Sequence, residues 1–312
     1  MTAPRLASST LGALLAAATL VGAQQQFRSG TIGVRVDVLV TNGQQLVRGL
    51  TAKDFELRDE GVVQAVSEVE IEQIPLNLIL VFDTSASVAG ERLRSLLDAG
   101  DALLGGLRLQ DRVALLSFST RVRLLAPLTP SRDQIRAALR SLQANGLTSL
   151  RDAAFAGLAL RDADPGRTLV LIFSDGADTS SWLRSEAVIE SAKRSDAVIY
   201  AVAIPEQETR WTATAVPGSS SAIVTARPVT PTVEEAGKFL DSVTEETGGR
   251  VLFANNHTDL RATFEKTLAE FRDRYVLSYV PTAVSTTGWH RVEVKLKTKS
   301  GKVTARRGYF AE

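Results

Sequence analysis

The sequence contains no cysteine and only two histidines, His257 and His290, in 312 residues. The absence of cysteine excludes disulfide bonds, thiolate metal sites and a cysteine nucleophile. With so few histidines, a histidine-rich zinc site is not expected either. The folded chain must therefore rely on its hydrophobic core or on a metal ion that is bound through oxygen ligands.

The chain also lacks an excess of charge of either sign. It has 36 Lys and Arg residues against 35 Asp and Glu residues, and no dense basic stretch interleaved with aromatic residues. A nucleic acid is therefore not expected as a partner. Hydrophobic residues make up 44% of the sequence, which is enough for the core of one large domain or two modest ones.

Long hydrophobic runs are missing except near the start of the chain. The run at residues 11–22 is about 12 residues long, shorter than the roughly 20 that a membrane-spanning helix needs. Arg5 precedes it and small residues follow up to Ala23, so residues 1–23 are predicted to be an export signal, with a membrane anchor as the alternative. We therefore expect an exported protein, periplasmic or extracellular, with no transmembrane span after cleavage.

The two ends of the mature chain have β character. Residues 31–40 alternate between apolar and polar, and short segments at 55–58 and 62–71 continue this pattern. Near the other end, residues 275–280, 289–296 and 303–310 are predicted strands. The simplest assembly pairs an N-terminal β segment, 27–75, with a C-terminal β segment, 274–312, in one small β-sandwich.

Between these ends, residues 76–273 alternate between buried strands and helices. This alternation predicts an α/β fold, a doubly wound and mostly parallel sheet with helices on both faces, inserted in the sandwich. A stretch rich in Thr, Ser, Pro and Gly at 205–231 interrupts the alternation and is predicted to be an exposed insertion. Predicted strands lie at 77–82, 113–118, 168–173, 197–204 and 251–253, and predicted helices at 91–104, 131–142, 149–160, 184–195, 233–247 and 260–274.

Oxygen-bearing side chains follow two of the buried strands. Asp83, Ser85 and Ser87 occupy alternate positions where strand 77–82 ends, and Asp175 follows strand 168–173. Ligands of doubly wound sheets bind outside the carboxyl ends of the strands, and the loop that carries Thr148 could reach the same crevice. Two carboxylates and three hydroxyls there would suit Mg²⁺, Mn²⁺ or Ca²⁺.

At these residues the chain resembles the von Willebrand factor A (VWA) domains, over roughly 76–271. Their metal-ion-dependent adhesion site combines D-x-S-x-S with a Thr and an Asp from separate loops, and here Asp83, Ser85, Ser87, Thr148 and Asp175 fill those positions. The resemblance implies that a divalent cation, Mg²⁺ first, is bound directly by the serines and partly through water by the aspartates. It also implies an open coordination position for an acidic side chain of a protein partner.

The chain ends resemble a subgroup of exported bacterial VWA-related proteins, through residues 47–66 and the terminal Arg-Gly-Tyr-Phe at 307–310. The resemblance covers most of the mature chain, but it does not name a partner.

Four further side chains lie outside this ligand set, and two of them have two interpretations. Asp152 and Asp178 could hold the site loops from behind the metal ligands, although a first-turn helix acid and a turn residue are the favoured interpretations. His290, beside Trp289, is predicted to be a half-exposed strand residue. Arg306, next to Arg307, is predicted to lie at a solvated strand end.

Three functions compete for this site. The favoured one is a binding module, not an enzyme, because the ligand set has no candidate base or nucleophile beside it. A metal-dependent hydrolase or phosphotransferase at Asp83 is the second, but position 85 is Ser where the phosphotransferases have a second Asp, and neither a G-x-S-x-G nor a phosphate-loop motif occurs. The third is a structural protein in which the metal only stabilises the fold.

Overall fold

The computed structural model describes residues 33–43, 45–71, 74–160, 166–174, 178–203, 231–254, 256–297 and 299–311. The predicted signal (1–23) and nearly all of the predicted insertion (205–231) lie outside these residues. The N-terminal strands are β1 Val34–Asn42, β2 Gln45–Leu46, β3 Phe55–Asp59, β4 Val62–Gln64 and β5 Val66–Glu70.

The middle of the chain alternates between strands and helices, as its sequence predicts. The strands are β6 Leu76–Asp83, β7 Arg112–Phe118, β8 Val122–Thr129, β9 Arg167–Ser174, β10 Val198–Ala203 and β11 Arg250–Phe253. The helices are α1 Glu91–Gly105, α2 Arg132–Arg140, α3 Leu150–Ala159, α4 Ser185–Arg194, α5 Pro231–Glu246 and α6 Leu260–Arg272. The C-terminal strands are β12 Tyr275–Tyr279, β13 Gly288–Leu296, β14 Lys302–Ala305 and β15 Gly308–Ala311.

Among the described residues, the central sheet has the strand order β11-β10-β9-β6-β7-β8. All its pairings are parallel except β7 with β8. Every residue of β6 and β9 is buried, because helices cover both faces of the sheet. The order of the strands reverses between β6 and β9, so the carboxyl ends of these two strands mark the switch point of the sheet.

Alternate residues of β6 belong to two different hydrophobic cores. Leu80 and Phe82 pack in the core that is covered by α1, α2 and α6. Ile79 and Val81 pack in the core that is covered by α3, α4 and α5. Successive side chains of a strand point to opposite faces, so a run of purely apolar residues is what a strand in the middle layer requires.

The strands at the two ends of the chain pair with one another. One sheet has the order β14-β1-β12-β5, with β2 beside β1, and a second sheet among the described residues has the order β15-β13-β3-β4. Their facing sides share a core that includes Val36, Leu57 and Leu277. The predicted fold class is therefore confirmed: a doubly wound α/β sheet accompanied by a sandwich of N-terminal and C-terminal strands. The predicted domain limits stay predictions.

Two predictions about the C-terminal strands are wrong. Residues 303–310 form two strands in different sheets, and between them Arg306 is half-buried and donates to the carbonyls of Lys193 and Ser195 at 3.1 and 2.9 Å. His290 is fully buried. Its side chain shares the inward face of β13 with Val292, so it faces the other sheet instead of solvent.

A network of buried polar side chains lies where the sandwich meets the α/β domain. The fully buried guanidinium of Arg274 donates to the Tyr200 hydroxyl at 3.1 Å and to the carbonyls of Asp37 and Gly248 at 3.1 and 2.7 Å. Tyr200 in turn donates to Glu270 at 2.8 Å. The network therefore joins β1, β10 and α6 through hydrogen bonds that water cannot replace.

We expect the stability of the protein to fall as the pH rises above about 10. Burial raises the pKa of Tyr200 to about 12, and burial together with a hydrogen bond to Asp59 raises the pKa of Tyr279 well above its usual range. The stabilisation is complete below the unfolded-state pKa and is lost as the pH rises through the folded-state value, by up to about 1.4 kcal/mol per pH unit for each tyrosine.

Urea unfolding at pH 9, 10 and 11 checks this dependence. Tyr200→Phe removes one of the titrating hydroxyls, so its free energy of unfolding should fall less steeply above pH 10 than that of the unchanged protein. Equal slopes for the two proteins would contradict the expectation.

Candidate metal centre

Asp83 is the last residue of β6 and is completely buried. Its Oδ1 accepts a hydrogen bond from the Ser85 amide at 2.8 Å, and its Oδ2 accepts one from the hydroxyl of Ser174 at 2.9 Å. Because Ser174 ends β9, the carboxylate ties together the two strand ends that flank the switch point. Its orientation is therefore fixed before any ligand binds.

The hydroxyls of Ser85 and Ser87 lie side by side just beyond Asp83. Their Oγ atoms are 3.0 Å apart, with Ser85 buried and Ser87 exposed. Neighbouring oxygens around an octahedral Mg²⁺, each at 2.0–2.1 Å from the ion, are separated by about 2.8–3.0 Å. The pair therefore has the spacing of two adjacent Mg²⁺ ligands, and the exposed serine lies on the solvent side.

A second loop is hydrogen-bonded directly to the D-x-S-x-S segment. The Ala86 amide donates to the carbonyl of Gly146 at 3.0 Å, and the Asn145 amide donates to the carbonyl of Thr84 at 2.8 Å. Gly146 has φ +79°, and a Cβ atom there would lie 2.5 Å from Oγ1 of Thr120. Glycine suits this positive φ and leaves room for Thr120, so the loop of Thr148 packs against the turn that follows β7.

Thr148 is buried and connects a third loop to the site. Its carbonyl accepts hydrogen bonds from the amides of Thr179 and Ser180 at 2.8 and 3.0 Å, and its amide donates to Oγ1 of Thr179 at 2.9 Å. Asp175, the fifth predicted ligand, lies outside the described residues, in the short stretch between Ser174 and this third loop. The structure thus brings the segments of Asp83 and Thr148 together with Ser174, the residue that precedes Asp175 in the sequence.

Asp152 and Asp178 both fix the third loop to the start of α3. The Asp152 carboxylate accepts from the amides of Trp182 at 3.0 Å and Leu183 at 2.9 Å. Asp178 accepts from the Arg151 amide at 2.9 Å and from the Ser181 hydroxyl at 2.5 Å. Burial alone would raise the pKa of Asp178, but these donors outweigh it and hold the pKa below its usual value. Both acids therefore hold the third loop against the start of α3, which a solvated turn or helix acid would not do.

Sequence reasoning missed Ser119, whose backbone holds the loop that carries Thr148. Its carbonyl accepts from the amide and the hydroxyl of Ser149 at 2.9 and 2.7 Å. The neighbouring Phe118 carbonyl accepts from the amide and hydroxyl of Thr84 at 2.7 and 2.9 Å. Because backbone carbonyls accept all four hydrogen bonds, no side-chain pattern in the sequence marks these supports.

The donor set is one of hydroxyls and carboxylates. Among the described residues, no three His, Cys, Asp or Glu side chains come together as a metal site. A cation at this position would need the hydroxyls of Ser85, Ser87 and Thr148 as well as the aspartates, and such hard oxygen donors suit Mg²⁺ and exclude the softer metals.

The open parallel sheet and the polar loops at its switch point define a Rossmann-like α/β domain. Residues 78–178 match the family model of the von Willebrand factor type A domain. The matched segment includes Asp83, Ser85, Ser87 and Thr148 and ends at Asp178, at the start of the third loop. The α/β part of the chain therefore has the VWA fold.

One solved structure agrees with this fold. A von Willebrand factor type A protein from Catenulispora acidiphila superposes with a TM-score of 0.50 at 12% identity, over 88% of this chain and 76% of that chain. Two weaker similarities are to the vWF domain of the type V pili tip protein Mfa5 from Porphyromonas gingivalis and to the PilB minor pilin from Streptococcus sanguinis. The Mfa5 domain superposes with a TM-score of 0.32 at 21% identity, over 34% of this chain and 39% of that chain. PilB superposes with a TM-score of 0.46 at 15% identity, over 64% of this chain and 62% of that chain.

Proposed function

We propose that this protein is an exported binding module that holds a divalent cation, Mg²⁺ first, and uses it to bind an acidic side chain of a protein partner. The cation would rest on Ser85, Ser87 and Thr148, with Asp83 and Asp175 acting partly through water. When bound, it would supply a Lewis-acidic centre with one position open to a carboxylate. We propose no catalytic role, because no general base or nucleophile accompanies these ligands.

The observation that carries the proposal is the hydrogen-bonded convergence of the three loops. Asp83 is held by donors from two strand ends, and the Oγ atoms of Ser85 and Ser87 are spaced as adjacent ligands. Such a site loses little conformational freedom when the ion enters, so the binding free energy is not spent on ordering the loops.

Export is part of the proposal and is supported by the sequence of residues 1–23. Within the described part of the chain, every helix is too short or too polar to cross a membrane. The similarity to a pilus tip protein and to a minor pilin is consistent with a role at the cell surface.

Isothermal titration calorimetry of the metal-free protein with Mg²⁺, Mn²⁺ and Ca²⁺ tests the site. We expect one cation per chain, no binding to Asp83→Ala, and an affinity at least about tenfold weaker for Ser87→Ala, whose exposed side chain can be removed without disturbing the core. Asp133→Ala, at an acid that is exposed at the start of α2, serves as the control and should bind as the unchanged protein does.

Thermal unfolding complements the titration. A bound cation at 100 times its dissociation constant stabilises the fold by about 2.7 kcal/mol, so the melting temperature should rise with Mg²⁺ and fall with EDTA. Equal affinities of the unchanged protein and both site variants would exclude the proposed ligands. A partner that binds equally well in EDTA would leave the metal with a structural role only.

A further inference from the structure

Three large apolar side chains are exposed on segments that carry or contact the candidate metal centre. Trp182 is 93% exposed, Leu147 is 55% exposed and Phe155 is 40% exposed. Single exposed apolar residues are ordinary on a protein surface, but residues that gather around one site are characteristic of an interaction surface. We call these three residues the apolar rim.

The apolar rim is linked to the site by the contacts of its backbone. Leu147 directly precedes Thr148, and its amide donates to the Thr120 hydroxyl at 2.9 Å. The Trp182 amide donates to the carboxylate of Asp152, in the first turn of α3. Phe155 lies three residues further along this helix and so shares a face with Asp152.

The backbone of Trp182 is fixed although its indole is exposed. Its amide and that of Leu183 both donate to the Asp152 carboxylate. An aromatic side chain on a fixed backbone offers a large contact area with only two torsion angles left to order. Tryptophan is also the residue type most enriched among those that dominate binding energy at interfaces.

The charges around the rim favour an acidic partner. In the loops at 84–88, 119–121, 145–149 and 178–184, the only exposed charged side chains are Arg121 and Arg184, and the one acid, Asp178, is almost fully buried and hydrogen-bonded. Positive charge around the site would attract an acidic segment and raise its rate of association.

We propose that the partner presents an acidic side chain next to a large apolar one, the first at the cation and the second against the apolar rim of Leu147, Phe155 and Trp182. This proposal rests on the proposed function of the metal site. It narrows the partner to a protein segment in which Asp or Glu lies within about three residues of an aromatic or large aliphatic residue. A bare carboxylate would leave the rim exposed and bind weakly.

A phage-displayed library of linear 12-residue peptides with one fixed central Asp is the probe, selected on the intact protein in Mg²⁺. We expect enrichment of aromatic or large aliphatic residues within three positions of the Asp. The enriched peptide, made synthetically, should bind Trp182→Ala at least about tenfold more weakly than the unchanged protein, which is the usual size of a dominant interface residue.

The matched control is Leu109→Ala. Leu109 is also 93% exposed, but it precedes β7 and so lies at the opposite end of the sheet from the site. The Leu109→Ala variant should bind the peptide with the affinity of the unchanged protein. If Mg²⁺ binds but the library enriches no apolar neighbour, or Trp182→Ala binds as Leu109→Ala does, the rim proposal is overturned and the metal site stands. If Mg²⁺ itself does not bind, the proposed function fails, and the rim proposal fails with it.

Discussion

Replacing Asp59 with alanine is expected to lower the free energy of unfolding by about 3–5 kcal/mol, the cost of removing one partner from a buried charged network. Asp59 is fully buried between the two sheets of the sandwich. Its Oδ2 accepts from the hydroxyls of Tyr279 and Tyr309, each at 2.9 Å, and its Oδ1 lies 2.9 Å from Nδ1 of His290. Because the carboxylate oxygen accepts, Nδ1 of His290 is assigned as the donor in this contact.

Alanine at position 59 would remove the acceptor of two buried donors, Tyr279 and His290, and of the half-buried Tyr309. Each buried donor that loses its partner costs about 1–3 kcal/mol, because water cannot reach it in the folded state. Tyr279 belongs to one sheet while His290 and Tyr309 belong to the other, so the variant also loses the polar link between the sheets.

Urea denaturation measures the effect of the Asp59 variant. Glu293→Ala is the control, since Glu293 lies on the same strand as His290 and its ion pairs with Arg291 and Lys295 are exposed. It should change the free energy of unfolding by less than about 0.5 kcal/mol. A loss below about 1 kcal/mol for Asp59→Ala would show that the network is not a main support of the sandwich.

Arg274→Leu is the second substitution with a large expected effect, also about 3–5 kcal/mol. The leucine side chain fills part of the space but donates no hydrogen bond to Tyr200, Asp37 or Gly248. The unpaired carbonyls lie between the sandwich and the α/β domain, where the guanidinium is completely buried. Arg274→Lys should recover only part of the loss, because one ammonium group cannot reproduce the planar set of donors.

Arg261→Leu on α6 is the matched control for Arg274→Leu. Arg261 is largely exposed and pairs only with Glu265 one turn away. Removing such a surface pair should cost less than about 0.5 kcal/mol. Chemical denaturation of the three variants checks the order, and equal losses for Arg274→Leu and Arg261→Leu would contradict a joining role for the buried arginine.

The predicted strands and helices of the α/β domain agree closely with the structure because their signals are local. The apolar run before Asp83 is a strand of the middle layer, and the helix predicted at 91–104 is α1, Glu91–Gly105. Ser131 caps α2 through the amide of Gln134, as its position in the sequence predicts. Buried strands, helix caps and amphipathic faces can be predicted from the pattern of neighbouring residues.

His290 shows where local interpretation stopped too early. Val292, Val294 and Leu296 form the apolar face of the predicted strand 289–296, and the same alternation continued backwards reaches His290. A histidine is ordinarily placed towards solvent, so the residue type favours the wrong environment although the alternation favours the right one. The partner that makes its burial possible, Asp59, is 231 residues away in the sequence, and no local pattern connects the two.

The D-x-S-x-S segment, the threonine and the strand-end aspartate are readable in the sequence, as is the doubly wound order of strands and helices. These features depend on short spacings and on the rule that ligands bind at the carboxyl ends of parallel strands. The tertiary structure alone decided that Ser174 holds Asp83, that Asp152 fixes the backbone beneath an exposed Trp182, and that Asp59 and Arg274 are buried. Those outcomes depend on contacts between segments that lie far apart in the chain, and the free energy of such contacts is determined only when the elements pack.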